Sequence, residues 1–167
     1  MPKENIKLYL AIIAVIAIVV LVIAFWIFMN GSSYTLLKQG AVFTLTPGIA
    51  ATYNVSVPQG KVGVLSGSYS VWYLNNTYTP QVAIETAVLT QKQFAAFVMN
   101  LKNITSLSQI NSTYYSGYKE NVTLNLRLQN GTYTLVFFNP GPYHDQNLTN
   151  KNFHLVYVTK AINISYI

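Results

Sequence analysis

The sequence predicts a mainly β protein: an N-terminal transmembrane helix followed by an antiparallel β-sandwich that carries one short amphipathic helix. Three observations predict it. Residues Leu8 to Met29 hold no charge. Beyond Ala41 the chain alternates apolar and polar residues in short runs separated by turn residues. Nine Asn-x-Ser/Thr triplets, none with proline in the middle, all follow the uncharged run.

The uncharged run comes first. As a helix it is about 33 Å long at about 1.5 Å per residue, enough to cross a hydrocarbon core of about 30 Å. Lys3 and Lys7 precede it against Glu4, and the next charge is Lys38. That basic bias places the N-terminus inside and the bulk outside, a single-pass arrangement in the cell membrane. Tyr9 and Trp26 fall near the two ends, where amphipathic rings favour the interface. A cleavable secretory signal is the rival reading. Its apolar part is usually about 7–15 residues long, and Phe28-Met29-Asn30-Gly31 offers no small-residue cleavage site. The organisation expected is a cytoplasmic tail over 1–7, the span over 8–29, a polar stem over 30–40 and an extracellular sandwich over 41–167. The span has no Gly-x-x-x-Gly pair and no ionisable side chain, so it reads as a passive anchor in the lipid membrane.

The strand runs follow in order. Phe43 and Leu45 alternate with Val42 and Thr44; Tyr53, Val55 and Val57 with Asn54 and Ser56; Tyr69, Val71 and Tyr73 with Ser70 and Trp72. Pro58-Gln59-Gly60, Asn75-Asn76 and Asn139-Pro140-Gly141-Pro142 punctuate them as turns. Thr90 and Gln93 have capping-box spacing, and Phe94, Phe97, Val98 and Leu101 recur at helical spacing, which predicts a helix over Gln91 to Leu101 with that stripe inward. Val122, Leu124, Leu126 and Leu128 alternate with Thr123, Asn125 and Arg127. Gln129-Asn130-Gly131 then turns the chain, as a hairpin, into a run from Tyr133 to Phe138 that is apolar on consecutive positions at its end and so predicts a strand covered on both faces. Two last strands are expected to close the domain, with Phe153, Leu155 and Tyr157 and then Ile162, Ile164 and Tyr166 as their alternating apolar positions.

The triplets mark Asn30, Asn54, Asn75, Asn103, Asn111, Asn121, Asn130, Asn147 and Asn163 as acceptors for N-linked glycans. With 16 asparagines and 26 serines and threonines in 167 residues, chance supplies only about two or three such triplets. In a strand, residues i and i+2 share a face. Asn54-Val55-Ser56, Asn103-Ile104-Thr105, Asn121-Val122-Thr123 and Asn163-Ile164-Ser165 therefore present acceptor and hydroxyl outward while an apolar residue packs inward. The other acceptors fall in turns or loops.

Composition bounds the chemistry. Cysteine is absent, so packing and hydrogen bonds alone hold the outer domain together. Charged residues are 8% of the chain, and so few carboxylates leave few groups whose protonation would destabilise the fold, which points to tolerance of an acidic exterior. The chain carries a net charge of +6, but beyond the span its basic residues, Lys38, Lys61, Lys92, Lys102, Lys119, Arg127, Lys151 and Lys160, are scattered singly, without the cluster a phosphate backbone requires, so no nucleic-acid partner is expected. The outer acids are Glu85, Glu120 and Asp145, too few for a convincing carboxylate pair. His144-Asp145 and His154 fall short of a metal or triad set, and neither a Gly-x-Ser-x-Gly elbow nor a phosphate loop occurs. No catalytic, metal or cofactor site is expected. Trp72, Tyr78, Tyr114, Tyr115 and Tyr118 are the candidates for stacking on sugars.

Gly60-Lys61-Val62-Gly63-Val64-Leu65-Ser66-Gly67-Ser68-Tyr69 and Leu124 to Asn139 resemble small jelly-roll-like sandwich domains of archaeal surface proteins. The second stretch is also similar to the Gly-x-Tyr-x-Leu-x-x-x-Asn strand of prepeptidase-type and Golgi-dynamics-type sandwiches. The sandwich is accordingly expected to be jelly-roll-like or Ig-like, and the resemblance implies a binding or assembly module, commonly without catalysis. The helix-plus-glycosylated-domain layout is similar to archaeal type IV pilins, although Lys7 is followed by Leu8 where a small residue is expected. The expected function is a non-catalytic cell-surface structural or interaction protein that contacts envelope proteins or itself. A filament subunit or virion membrane protein is the first alternative, and a carbohydrate-binding module the second.

Overall fold

The computed structural model describes residues 16, 18–21, 33–73, 83–140 and 154–167. The chain divides into two units, Met1–Ser32 and Ser33–Ile167. In the first, residues 16 and 18–21 are helical; the span read over Leu8–Met29 otherwise lies outside the described residues. Among those that are described, no helix is long and apolar enough to cross a membrane.

The second unit is built from two antiparallel sheets. In chain order its elements are β1 (Ser33–Leu37), β2 (Val42–Leu45), β3 (Ala50–Val57), β4 (Gly63–Tyr73), β5 (Ile84–Thr90), helix α1 (Gln91–Asn100), a 3-10 turn (Leu107–Gln109), β6 (Tyr114–Lys119), β7 (Asn121–Leu128), β8 (Gly131–Phe138) and β9 (His154–Tyr166). The first sheet runs β1-β9-β4-β7, with β2 also paired to β9; the second runs β3-β8-β5-β6. Ser33 pairs with Ser165, and Gly63 pairs with both Leu128 and Tyr166, so the chain enters beside the 129–130 turn and the C-terminus. Trp72 pairs with Leu155 at the opposite end.

Alternation explains the core between the sheets. Leu65, Tyr69 and Val71 of β4, Val122, Leu124 and Leu128 of β7, and Val156, Val158, Ile162 and Ile164 of β9 face Val55, Val57, Ile84, Val88, Leu135 and Phe137 of the second sheet. Phe137 is fully buried and meets Phe43, Tyr53 and Tyr69 edge-on at centroid distances of 5.3, 5.9 and 5.1 Å, a favoured aromatic geometry. The Tyr69 hydroxyl is buried in this layer and bonds the Thr86 hydroxyl of the other sheet.

That placement has a consequence at high pH. Burial raises the Tyr69 hydroxyl above its ordinary value, an effect the Thr86 bond partly offsets, and burial also raises Tyr53 and Tyr114. Folded-state values above the unfolded value of about 10 contribute stability that is complete below about pH 10 and is lost as pH climbs through the raised values. The protein should therefore unfold cooperatively on the alkaline side, with tyrosinate absorbance rising in step with loss of sheet circular dichroism. Tyr69→Phe should flatten that decline while costing about 1–2 kcal/mol at neutral pH for the lost buried hydrogen bond. An unchanged alkaline limb in that variant would refute the assignment.

The second sheet is covered on its outer face as well, which is why β5 and β8 are apolar on consecutive positions. Ala87, Leu89, Val136 and Phe138 pack there beneath Phe97 of α1 and Ile104 and Leu107 of the connection to β6. The helix begins where the sequence predicts. Thr90 accepts from the Gln93 backbone N–H at 3.4 Å, and the Gln93 side chain accepts from the Thr90 N–H at 2.7 Å, closing a capping box. Val98, however, is exposed; the inward stripe narrows to Phe94, Phe97 and Leu101, because the helix rests on the sheet along one ridge.

Four sequence readings change. The chain from Leu128 to Tyr133 is not a hairpin: β7 pairs with β4 in the first sheet, β8 with β3 and β5 in the second, and the turn at 129–130 carries the chain between sheets. The two last strands are one, β9, whose pairing with β4 shifts register between Ser66 and Tyr69; this bulge breaks the period at 158–161 and makes one strand read as two. Within β9 the core-facing residues are Val156 and Val158, and Tyr157 is exposed. Finally, the sheet takes in Ser33–Leu37, part of the stretch expected to be stem, because β1 pairs with the end of β9.

Asn139 ends the Gly131 to Asn139 stretch as a fully buried polar residue. Its side-chain N–H donates to the Leu45 carbonyl at 3.1 Å, its backbone N–H donates to the Ile49 carbonyl, and its own carbonyl accepts from Gly48 at 2.8 Å. The end of β8 is thereby laced to the β2–β3 turn.

Candidate functional site

The acceptor asparagines are placed by every part of the sandwich. Asn54 sits on β3, a sheet edge, exposed and opposite Thr134. Asn103 is exposed in the turn after α1, with its N–H donating to the Asn100 carbonyl at 2.8 Å. Asn111 is exposed in the connection into β6, and Asn130 is exposed in the turn between sheets. Asn121 opens β7 on the outer face of the first sheet, where its side-chain oxygen accepts from Ser70 Oγ at 2.6 Å. Asn163 on β9 is half-buried: its side-chain oxygen accepts from Thr35 Oγ1 at 2.7 Å, and its side-chain N–H donates to the Ala161 carbonyl at 3.4 Å. Asn30, Asn75 and Asn147 lie outside the described residues.

The middle residues of the apolar-centred triplets pack inward. Val55 and Ile164 are 1% exposed, Val122 is 6% and Ile104 is 8%. For Val55, Val122 and Ile164 strand alternation produces this; for Ile104 a turn does, since Asn103 and Ile104 follow the helix rather than lie in a strand.

The same outer face of the first sheet carries the second feature. Ser66, Ser68 and Ser70 of β4 line up with Asn125, Thr123 and Asn121 of β7, a polar carpet in which Ser68 Oγ also bonds Thr159 Oγ1 of β9 at 2.8 Å. At the end opposite the chain entry the character changes. Trp72, Leu155 and Tyr157 line an open recess of about 240 Å³. Trp72 is 57% exposed, and Val42, register partner of Tyr157, is 51% exposed. Of the sugar-stacking candidates named from sequence, Trp72 belongs here. Tyr114, Tyr115 and Tyr118 are half-buried on β6 of the other sheet, where the Tyr115 hydroxyl donates to Glu85 at 2.8 Å and burial raises its titration. Tyr78 lies outside the described residues. The partners of Trp72 were not legible, since Leu155 and Tyr157 read as core residues of their strand; the one local signal was Trp72 itself, out of phase with Tyr69 and Val71.

Of the residues weighed for catalysis, the described acids stand apart from one another. Glu85 is fully buried and bonds Ser106, Leu107 and Tyr115. Glu120 occupies the turn into β7, where its carbonyl accepts from the Val71 N–H at 2.8 Å. His144 and Asp145 lie outside the described residues, and His154 opens β9. Among the described residues no group of three or more His, Cys, Asp or Glu comes together as a metal site would require.

No protein-family model matches the chain, and no curated protein matches it. Among solved structures it is similar to the Drosophila NLP core, whose crystal structure concerns pentamer formation and histone binding, with 10% identity and a TM-score of 0.32 over 74% of this chain and 95% of that one. A likeness at that score carries no argument about this protein.

Proposed function

We propose that this protein is a non-catalytic, single-pass membrane protein whose sandwich is extracellular, N-glycosylated, and a structural or interaction module of the cell surface, in contact with envelope proteins or with further copies of itself. The sandwich is read as a jelly roll. Strands β2 to β9 follow the orders β2-β9-β4-β7 and β3-β8-β5-β6, two interlocked Greek keys, and β1 extends the first sheet alongside β9.

The observation that carries the reading is the disposition of the acceptors. Asn54, Asn103, Asn111, Asn121 and Asn130 are all exposed and fall on a sheet edge, the outer layer, the opposite sheet face and a turn between sheets, while Val55, Ile104 and Val122 carry the packing. Sugars at these positions would cover the domain without disturbing its core. Glycopeptide mass spectrometry on protein from native membranes, with protease treatment of intact cells, tests this. Sugar is expected on those five asparagines, with Asn163 the least occupied because its amide is engaged on both sides, and external protease is expected to reach the C-terminal unit. Bare asparagines together with a protected C-terminal unit would overturn the proposal.

A further inference from the structure

We infer that the recess formed by Trp72, Leu155 and Tyr157 is the seat of the glycan carried by Asn121. The inference rests on the glycosylation reading above and gives one particular sugar chain a place on the protein.

Strand register supplies the argument. Asn121 of β7 is paired with Ser70 of β4, and Ser70 with Tyr157 of β9, so the three form one row across the sheet. Asn121, Ser70 and Trp72 lie on one face by alternation, opposite to buried Tyr69 and Val71, and the bond from Ser70 Oγ to Asn121 confirms that these side chains meet on that face. Trp72 and its partner Leu155 form the next row along. With strands about 4.8 Å apart and residues i and i+2 about 7 Å apart, the Asn121 Cα lies about 10 Å from that of Tyr157 and about 8 Å from that of Trp72. The first two rings of an N-linked sugar cover that distance.

The chemistry of the recess fits the same occupant. A pyranose presents a C–H face suited to an aromatic ring, while its rim hydroxyls need polar partners. The indole of Trp72 and the phenol of Tyr157 supply the apolar floor, and Ser70, which stands between Asn121 and Tyr157 in one row, supplies a hydroxyl along the approach. The other described acceptors are badly placed for it. Asn163 pairs with Ser66 further down the sheet, Asn130 turns at the opposite end, and Asn54, Asn103 and Asn111 belong to the second sheet and its outer layer. An apolar hollow of this kind left open to water would be a liability on a secreted surface; a sugar laid over it removes that exposure without a protein partner.

Trp72 provides its own reporter. The chain has two tryptophans, Trp26 and Trp72, so in the full chain carrying Trp26→Phe the indole fluorescence is that of Trp72 alone. Acrylamide quenching of that fluorescence, with glycopeptide mass spectrometry on the same sample, reads both occupancy and contact. Asn121→Gln is expected to raise the quenching constant at least about twofold by uncovering the ring. Thr123→Ala, which breaks the same acceptor triplet but leaves the Asn121 side chain and its bond to Ser70 in place, is expected to do the same. Asn75→Gln, Asn130→Gln and Asn147→Gln are expected to leave it unchanged. Unchanged quenching in the Asn121 and Thr123 variants, with Asn121 occupied in the parent, overturns the contact and leaves the glycosylation reading standing. So does a bare Asn121 beside other occupied acceptors, or a rise caused by the Asn75 or Asn147 variant instead. Bare asparagines throughout overturn both.

Discussion

Glu85→Ala should lower the stability of the sandwich by about 3–5 kcal/mol, the cost of leaving several buried donors without their acceptor. Glu85 is the second residue of β5 and is fully buried. One carboxylate oxygen accepts from Ser106 Oγ at 2.7 Å and from the Tyr115 hydroxyl at 2.8 Å, and the other accepts from the Leu107 backbone N–H. These donors come from the N-terminus of the 3-10 turn and from β6, so one side chain joins the outer layer to the sheet beneath it. Hydrogen bonds to a charged group contribute about 1.5–3 kcal/mol each, and removing the acceptor adds the desolvation cost of the orphaned donors. Glu85→Gln keeps the shape and one acceptor oxygen, so it should cost about half as much. Urea denaturation measures both, and hydrogen exchange should show amides 104–110 opening first in the alanine variant. A loss below about 1 kcal/mol for Glu85→Ala would mean that the outer layer is held by Phe97, Ile104 and Leu107 without the carboxylate.

Such a residue is hard to find in a sequence, and the reason is general to this fold. Period-two alternation reports which face of a strand is buried, and it was reliable where one face is wet: β3 and β7 read correctly, and the consecutive apolar residues of β8 gave away a strand covered twice. The capping box of Thr90 and Gln93 and the turn at Pro58-Gln59-Gly60, closed by a bond from the Lys61 N–H to the Pro58 carbonyl at 3.2 Å, are also local and were legible. Alternation does not name the partner. The chain passes from β7 to β8 through a turn that looks like a hairpin, yet the two strands belong to different sheets, because β7 completes its hydrogen bonding with β4, more than fifty positions earlier in the chain. The Asn-x-Ser/Thr triplets can be picked out from sequence alone because the pattern is contained in three residues. The aromatic recess cannot be, since it exists only where the β4–β9 register sets Trp72 opposite Leu155 and Ser70 opposite Tyr157. β5 went unread for a related reason: with both faces covered and an acid at its second position, Ile84 to Thr90 matches neither an amphipathic helix nor an alternating strand.

Gly67→Val should be as damaging as the loss of Glu85, lowering stability by about 4 kcal/mol through two additive costs, backbone strain and steric overlap. Gly67 has φ +147, a conformation L side chains rarely adopt, and holding a β-branched residue there costs about 1–3 kcal/mol. The space is also closed. A Cβ at this position would stand 2.6 Å from the Ala161 carbonyl oxygen and 2.7 Å from the Ile162 Cα, and both obstacles are backbone, which cannot rotate away as a side chain can. The site is where β9 bulges against β4: pairing slips between Ser66 and Ser68 and again between Ser68 and Tyr69. The bulge lets a single thirteen-residue strand serve β2 near one end and β1 near the other, so glycine at 67 is the condition for both edge strands to dock. Forcing β9 away should therefore loosen β1 preferentially, with early exchange of the Thr35 and Leu37 amides beyond what global destabilisation explains. Gly60→Ala is the control. Gly60 also has positive φ, but a Cβ there meets nothing within 4 Å, so its cost should be confined to strain, about 1 kcal/mol. If the two substitutions cost the same, the close approach of β9 to Gly67 contributes nothing beyond the unfavourable dihedral, and the bulge tolerates a side chain.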